Sequence, residues 1–237
     1  MRSIHLVAGY DLLISENLRL KSEIYYQHLF NIPVKENVPG YSMLNFGEDS
    51  FSSMPVIDSL ISEGTGNNFG VEFTIERFLD NGWYFLVTSS LFKSIYKGYD
   101  EITRNSAFSN NFVFNLLGGK EFRIRKKNFL NFDVKMTWAG GMRYVPFYTV
   151  QADEHYYIKV DEWDKAYEMR RPAYFRLNLR AGYKVNFTKA TVEVAIDFLN
   201  VTNQQNIYFQ FYDPSTGEIE TVYQLPFLPL PLIRVQF

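Results

Sequence analysis

The stretch Tyr174-Phe175-Arg176-Leu177-Asn178-Leu179-Arg180-Ala181-Gly182-Tyr183-Lys184-Val185-Asn186-Phe187 decides the fold. Phe175, Leu177, Leu179, Ala181, Tyr183, Val185 and Phe187 fall on one side of an extended chain. Arg176, Asn178, Arg180, Gly182, Lys184 and Asn186 fall on the other. A period of two marks a strand whose faces meet unlike surroundings. This run is also far longer than the usual soluble strand of about 5–6 residues.

The pattern recurs on both sides of it. Val192, Val194, Ile196 and Phe198 oppose Thr191, Glu193, Ala195 and Asp197. Leu130, Phe132, Val134, Met136 and Trp138 oppose Asn131, Asp133, Lys135 and Thr137. Phe69, Val71, Phe73 and Ile75 oppose Gly70, Glu72, Thr74 and Glu76, and Leu20, Ile24 and Tyr26 oppose Arg19, Lys21, Glu23 and Gln27. Segments near 3–14, 83–96 and 108–124 alternate less strictly, and Ile233, Val235 and Phe237 end the chain against Arg234 and Gln236. The count is about nine strands, each near or above the ~9–11 residues that cross a bilayer at a tilt.

The connections sort by length. Ser15-Glu16-Asn17, Asp80-Asn81-Gly82, Arg125-Lys126-Lys127-Asn128 and Thr188-Lys189-Ala190 are tight polar turns. They alternate with long connections near 31–66, 97–107, 144–172 and 203–229. A meander through a membrane puts short turns on one side and long loops on the other. Extending the apolar parity places Trp83, Phe122, Phe187 and Phe237 at the short-turn end, as an interfacial girdle requires.

Composition agrees. Aromatic residues make up 18%, with 22 Phe and 17 Tyr, which suits aromatic belts better than a soluble core. Mean hydropathy is -0.19, and no run approaches the roughly 18 apolar residues of a spanning helix. Net charge is -2, which supplies no basic footprint for nucleic acid. With no cysteine, thiolate metal sites, disulfides and cysteine nucleophiles are excluded. The expected fold is therefore all-β, an antiparallel transmembrane β-barrel meander forming one domain over residues 1–237.

An odd strand number does not suit a single-chain bacterial barrel, and an open sheet leaves two unpaired edges in hydrocarbon. The opening Met1-Arg2-Ser3-Ile4-His5-Leu6-Val7-Ala8-Gly9-Tyr10-Asp11 also lacks the sustained apolar run of an export signal. The expectation is a partial barrel. An extra hairpin around Asp213-Pro214-Ser215-Thr216-Gly217 would change the count by about one.

The segment Asp197-Phe198-Leu199-Asn200-Val201-Thr202-Asn203-Gln204-Gln205-Asn206-Ile207-Tyr208 carries a family resemblance. With Tyr212-Asp213-Pro214-Ser215-Thr216-Gly217-Glu218 and the terminal Arg234-Val235-Gln236-Phe237, it resembles the last strands and last loop of TonB-dependent outer-membrane receptors. The likeness is to those of Bacteroidetes-type, SusC/CirA-like. Asn67-Asn68-Phe69-Gly70-Val71-Glu72-Phe73 resembles a mid-barrel hairpin of the same group.

The resemblance implies the C-terminal part of a barrel of about 22 strands in a Gram-negative outer membrane. It implies transport of a bulky nutrient (glycan, siderophore or peptide). It also implies a plug and N-terminal barrel strands of the same receptor, neither of which has a counterpart here, and TonB engaged only through that plug. Outer-membrane lipid, the barrel-assembly machinery and a surface lipoprotein complete the implied partners. Ile233, Val235 and Phe237 resemble the signal that the assembly machinery reads. The alternative is a small complete barrel acting as a pore or structural protein.

One loop is a candidate ligand contact. Tyr148, Tyr156, Tyr157, Trp163 and Tyr167 stand among Asp153, Glu154, Asp161, Glu162 and Asp164. Rings stack on sugar faces, and acids bind hydroxyls or hard cations. The plainer reading is an aromatic surface loop packed on its neighbours. The acids follow no metal-ligand spacing, and no metal or other cofactor is expected. His5, His28 and His155 are the only histidines, and His28 near an outer strand end is the one place for a rim hydrolase. No nucleophile can be assigned to it, so the chain is read as no enzyme. Asn186-Phe187-Thr188 and Asn200-Val201-Thr202 match a glycosylation sequon by chance.

Overall fold

The computed structural model describes residues 1–46, 59–153 and 156–237. In chain order the strands are β1 (Arg2–Ser15), β2 (Leu18–Lys35), β3 (Leu60–Asp80), β4 (Trp83–Lys97), β5 (Thr103–Asn105), β6 (Phe112–Arg125), β7 (Asn128–Ala139) and β8 (Arg143–Tyr144). They continue with β9 (Phe147–Asp153), β10 (Tyr156–Asp161), β11 (Met169–Arg170), β12 (Tyr174–Asn186), β13 (Thr191–Leu199), β14 (Ile207–Asp213), β15 (Glu218–Tyr223) and β16 (Leu228–Gln236).

Nine long strands form one antiparallel meander in the order β1-β2-β3-β4-β6-β7-β12-β13-β16, with β5 added beside β4. The hairpin at Asp213–Gly217 exists as β14–β15, but it forms its own two-stranded sheet, so the nine-strand path stands. The meander does not close on itself: β1 pairs with β2 and β16 with β13.

Register converts the sequence alternation into two continuous faces. Leu12, Leu20, Ile75, Val87, Leu116, Met136 and Leu177 line up as one row across seven strands. One residue along, Lys21, Thr74, Thr88, Asn115, Thr137 and Arg176 form a row on the opposite face. Asn115 bridges its neighbours there, donating to Thr88 at 3.2 Å and accepting from Thr137 at 2.9 Å. Further along this face Arg180 pairs with Glu193 at 2.9 Å, and Lys184 pairs with Glu121. Tyr84 donates to Asp133 at 2.7 Å.

All four tight turns lie at one end. Asn81 and Gly82, with φ of 51° and 77°, form a two-residue turn whose twist matches the strands. Trp83, Phe122, Phe187 and Phe237 are exposed at this end, as the girdle expectation requires. At the other end the strands run further than alternation indicated. β3 starts at Leu60, through Gly64, Gly66, Asn67 and Asn68. Poor strand formers are held there by the outer end of β2, which shifts register twice between Phe30 and Val34, around Asn31 at φ 54°.

Candidate functional site

Among the described residues, nothing covers the apolar face of the wall. Ile24, Phe73, Leu91, Val194 and Ile233 are all exposed. Most of the buried apolar side chains lie instead at the loop end, where the connections pack on one another. Tyr96, Ala107, Ala166 and Tyr167 form a small core, with Leu44, Val145 and Trp163 against it. Tyr96 meets Tyr167 edge-on at 5.9 Å, and Tyr41 lies 5.4 Å from Trp163. The Tyr96 hydroxyl donates to the Gly40 carbonyl at 2.5 Å. Gly40 is at φ 73°, and a Cβ there would run into Ala166 and the Trp163 carbonyl, so only glycine lets the two loops touch.

Polar groups fasten the same cap. Buried Arg104 grips Asp100 through both oxygens, at 2.8 and 2.7 Å, and donates to the Asp164 carbonyl at 3.3 Å. That guanidinium holds the Asp100 carboxyl below the usual range, against burial. Arg143 donates to the Tyr167 and Glu168 carbonyls, both at 3.0 Å, and burial lowers its pKa. Burial also pushes the Tyr167 hydroxyl up.

Two hairpins stand on this cap and lean on each other. Phe147 of β9 meets Tyr212 of β14 edge-on at 5.9 Å, and the Tyr157 amide donates to the Pro214 carbonyl at 3.0 Å. Their outer surfaces expose Tyr148, Val150, Tyr156 and Ile158 on one hairpin and Phe209 and Phe211 on the other.

The five rings of the candidate ligand loop therefore do not form one surface. Tyr148 and Tyr156 are open to solvent, Tyr157 sits in the seam between hairpins, and Trp163 and Tyr167 belong to the cap core. Glu154 and His155 lie outside the described residues. Ile233, Val235 and Phe237 are exposed along the edge strand β16. His28 shares a 2.9 Å hydrogen bond with the Asn67 amide oxygen and stacks on Phe30, so its partner is an amide and not a carboxylate. No group of three or more acidic or histidine side chains is placed to hold a metal among the described residues.

Beneath the cap, on the polar face, lies a concavity of about 570 Å³. Glu23, Glu72, Gln27 and Asn68 give it hydrogen-bonding groups, while Tyr25 and Phe92 give it rings. No lysine or arginine is among its described lining residues. Gln27 and Asn68 hydrogen-bond each other at 2.8 Å, and Ser90 donates to Glu72 at 3.3 Å. Sequence reading placed Glu23, Gln27 and Glu72 on the polar face but could not gather them, because the long connection between β2 and β3 hides which strands are neighbours.

The asparagine-rich segment after β13 has a structural task. Asn200, at φ 50°, donates to the Gln204 and Leu225 carbonyls at 3.0 and 3.2 Å. Asn203 accepts from the Phe227 amide at 3.0 Å. Asn206 accepts from the Phe175 amide at 3.0 Å and donates to its carbonyl at 2.7 Å, as a neighbouring strand would. Three amides thus clasp the base of the last loop between β12 and β16.

No protein-family model matches the chain, and no curated protein matches it in sequence. Solved structures do match. The ferric yersiniabactin uptake receptor FyuA from Yersinia pestis aligns with 98% of the chain at a TM-score of 0.65 and 12% identity. The ferric-catecholate import receptor Fiu from K12 E. coli aligns with 98% at a TM-score of 0.58 and 11% identity. The chain spans 29% of the first and 27% of the second. At such identities the likeness is one of fold: the chain folds as an open stretch of β-barrel wall. By name the first is an uptake receptor and the second an import receptor.

Proposed function

We propose that the chain is the C-terminal barrel wall of a TonB-dependent receptor in a Gram-negative outer membrane. The apolar face lies in lipid, the tight turns face the periplasm, and the cap with its two hairpins faces outward. One observation carries this reading: nine bilayer-length strands form an open meander, uncovered on its apolar face, with every long connection at one end. Further barrel strands of the same receptor satisfy the free edges of β1 and β16, since unpaired backbone in hydrocarbon costs several kcal/mol per group. A plug lies against the polar face and supplies the contact with TonB.

The cargo is a bulky nutrient: a glycan, a siderophore or a peptide. The concavity beneath the cap and the exposed Tyr148 and Tyr156 offer it rings and hydrogen-bonding groups. The asparagine segment supports the narrower Bacteroidetes-type, SusC/CirA-like assignment, with a surface lipoprotein as partner on the loop side. Ile233, Val235 and Phe237 serve the assembly machinery.

The absence of cysteine from these residues gives a clean test. Thr149→Cys on the β9 hairpin and Lys189→Cys in a tight turn are labelled with a membrane-impermeant maleimide, in the whole polypeptide as its host makes it. Labelling of position 149 on intact cells, and of 189 only after the outer membrane is permeabilised, is expected. Equal labelling of both on intact cells defeats the proposal.

A further inference from the structure

The lipid-facing surface carries an uncompensated cation. Register places Lys120 opposite Trp83 and Phe132, on the apolar face at the tight-turn end. Its amine lies 4.5 Å from the Trp83 ring centre and 5.7 Å from that of Phe122, and donates to the Asn81 carbonyl at 2.8 Å. The neighbouring Glu121 faces the other way and pairs with Lys184.

Further cations follow towards the β6–β7 turn, where Arg123 shares the face of Glu121 and donates to the Lys126 carbonyl at 3.1 Å. Arg123, Arg125, Lys126 and Lys127 are exposed in and beside the β6–β7 turn. No carboxylate pairs with any of the five cations among the described residues. The other tight turns differ: Glu16 sits in the first, Asp80 opens the second, and Lys189 alone is basic in the last. The positive charge is therefore local to one turn. It stands where exposed Trp83 and Phe122 mark the level of the headgroups. A cation on a lipid-facing strand is tolerated when its amine reaches that level, where the available counter-charge is phosphate.

We infer that Lys120, held between Trp83 and Phe122 and backed by the basic β6–β7 turn, binds the phosphate of an anionic phospholipid in the leaflet at the tight-turn end. The inference rests on the membrane reading above. Lys120 takes the phosphate from the lipid side, and Lys126 and Lys127 face it from the aqueous side. Each basic residue near an anionic surface strengthens such binding about fivefold.

The test uses the whole purified polypeptide in mild detergent, with retained lipid counted by native mass spectrometry. Phosphatidylglycerol, phosphatidylethanolamine and lipid A are offered in competition. Wild type is expected to retain phosphatidylglycerol. The Lys120→Gln/Lys126→Gln/Lys127→Gln variant should lose that retention by more than about tenfold. The matching triple Arg variant should keep it, and the migration of unheated samples confirms that both variants are folded. Unchanged retention in the Gln variant, or no preference over phosphatidylethanolamine, overturns the inference. Recovery of an acidic protein on these residues in place of lipid also overturns it. Preference for lipid A overturns it too; the cysteine labelling then reports separately whether the turns face the periplasm.

Discussion

The wall and the cap are both rich in apolar and aromatic residues, yet they treat them in opposite ways. In the wall Ile24 is 59% exposed and Val194 52%, along strands whose hydrogen bonding is complete on both sides. In the cap Tyr96 and Ala166 are each 1% exposed and Tyr167 is 6%. Leaving a large side chain exposed forgoes about 1.5–3 kcal/mol of transfer energy, which the wall recovers only from an apolar solvent. The cap recovers it by packing. On the proposed reading one region is stabilised by backbone pairing plus a bilayer, the other by a conventional core, and mutations separate them.

The largest effect is expected in the cap. Tyr167→Ala removes a buried ring from contact with Tyr96 and should cost about 3–5 kcal/mol locally. Limited proteolysis should then cut the 98–111 and 140–173 connections while the wall keeps its resistance. Simultaneous loss of the wall would show that the two regions are one cooperative unit. In the wall, Leu116 and Leu117 are sequence neighbours on opposite faces. Leu116→Arg, on the apolar face proposed to meet lipid, should cost about 2–4 kcal/mol in denaturant titrations of the lipid-reconstituted protein. Leu117→Arg, on the polar face, should cost less than about 1 kcal/mol. Equal costs would remove the distinction between the faces.

How much of this was readable in the sequence follows from the same contrast. The wall is periodic, so β7, β12 and β13 could be read residue by residue. β4 alternates less clearly because Tyr84 and Leu86 put apolar bulk on the polar face, where Tyr84 reaches Asp133 and Leu86 meets Leu117. The first part of β3 was unreadable because its glycines and asparagines become strand only through their pairing with β2. The cap has no period. Trp163 and Tyr167 looked like companions of Tyr148, but their real partners, Tyr41 and Tyr96, are distant in the chain. The asparagine segment stood out as a resemblance, and its bonds give the reason. Asn206→Ala leaves the Phe175 amide and carbonyl without partners and should cost about 1–3 kcal/mol, read as faster hydrogen exchange at the outer end of β12. Unchanged exchange there would reduce the clasp to a loop detail.

The smallest effect separates the regions by pH. Asp100 lies in a connection outside the strands, and its carboxyl is held below its ordinary range chiefly by hydrogen bonds from Arg104. A carboxylate whose folded pKa is depressed stabilises the fold at pH values above its unfolded pKa of about 3.9. That contribution fades as pH falls through the lower folded value. The cap should therefore become more susceptible to an acid-active protease below about pH 4, by an amount worth about 1 kcal/mol for one bidentate pair. Asp100→Asn should remove this step and leave the cap slightly looser at neutral pH. The apolar row from Leu12 to Leu177 holds no carboxylate, so its protection should not follow the same curve. An acid step that persists in Asp100→Asn would assign it to the ion pairs on the polar face, and the wall would then be the acid-sensitive region.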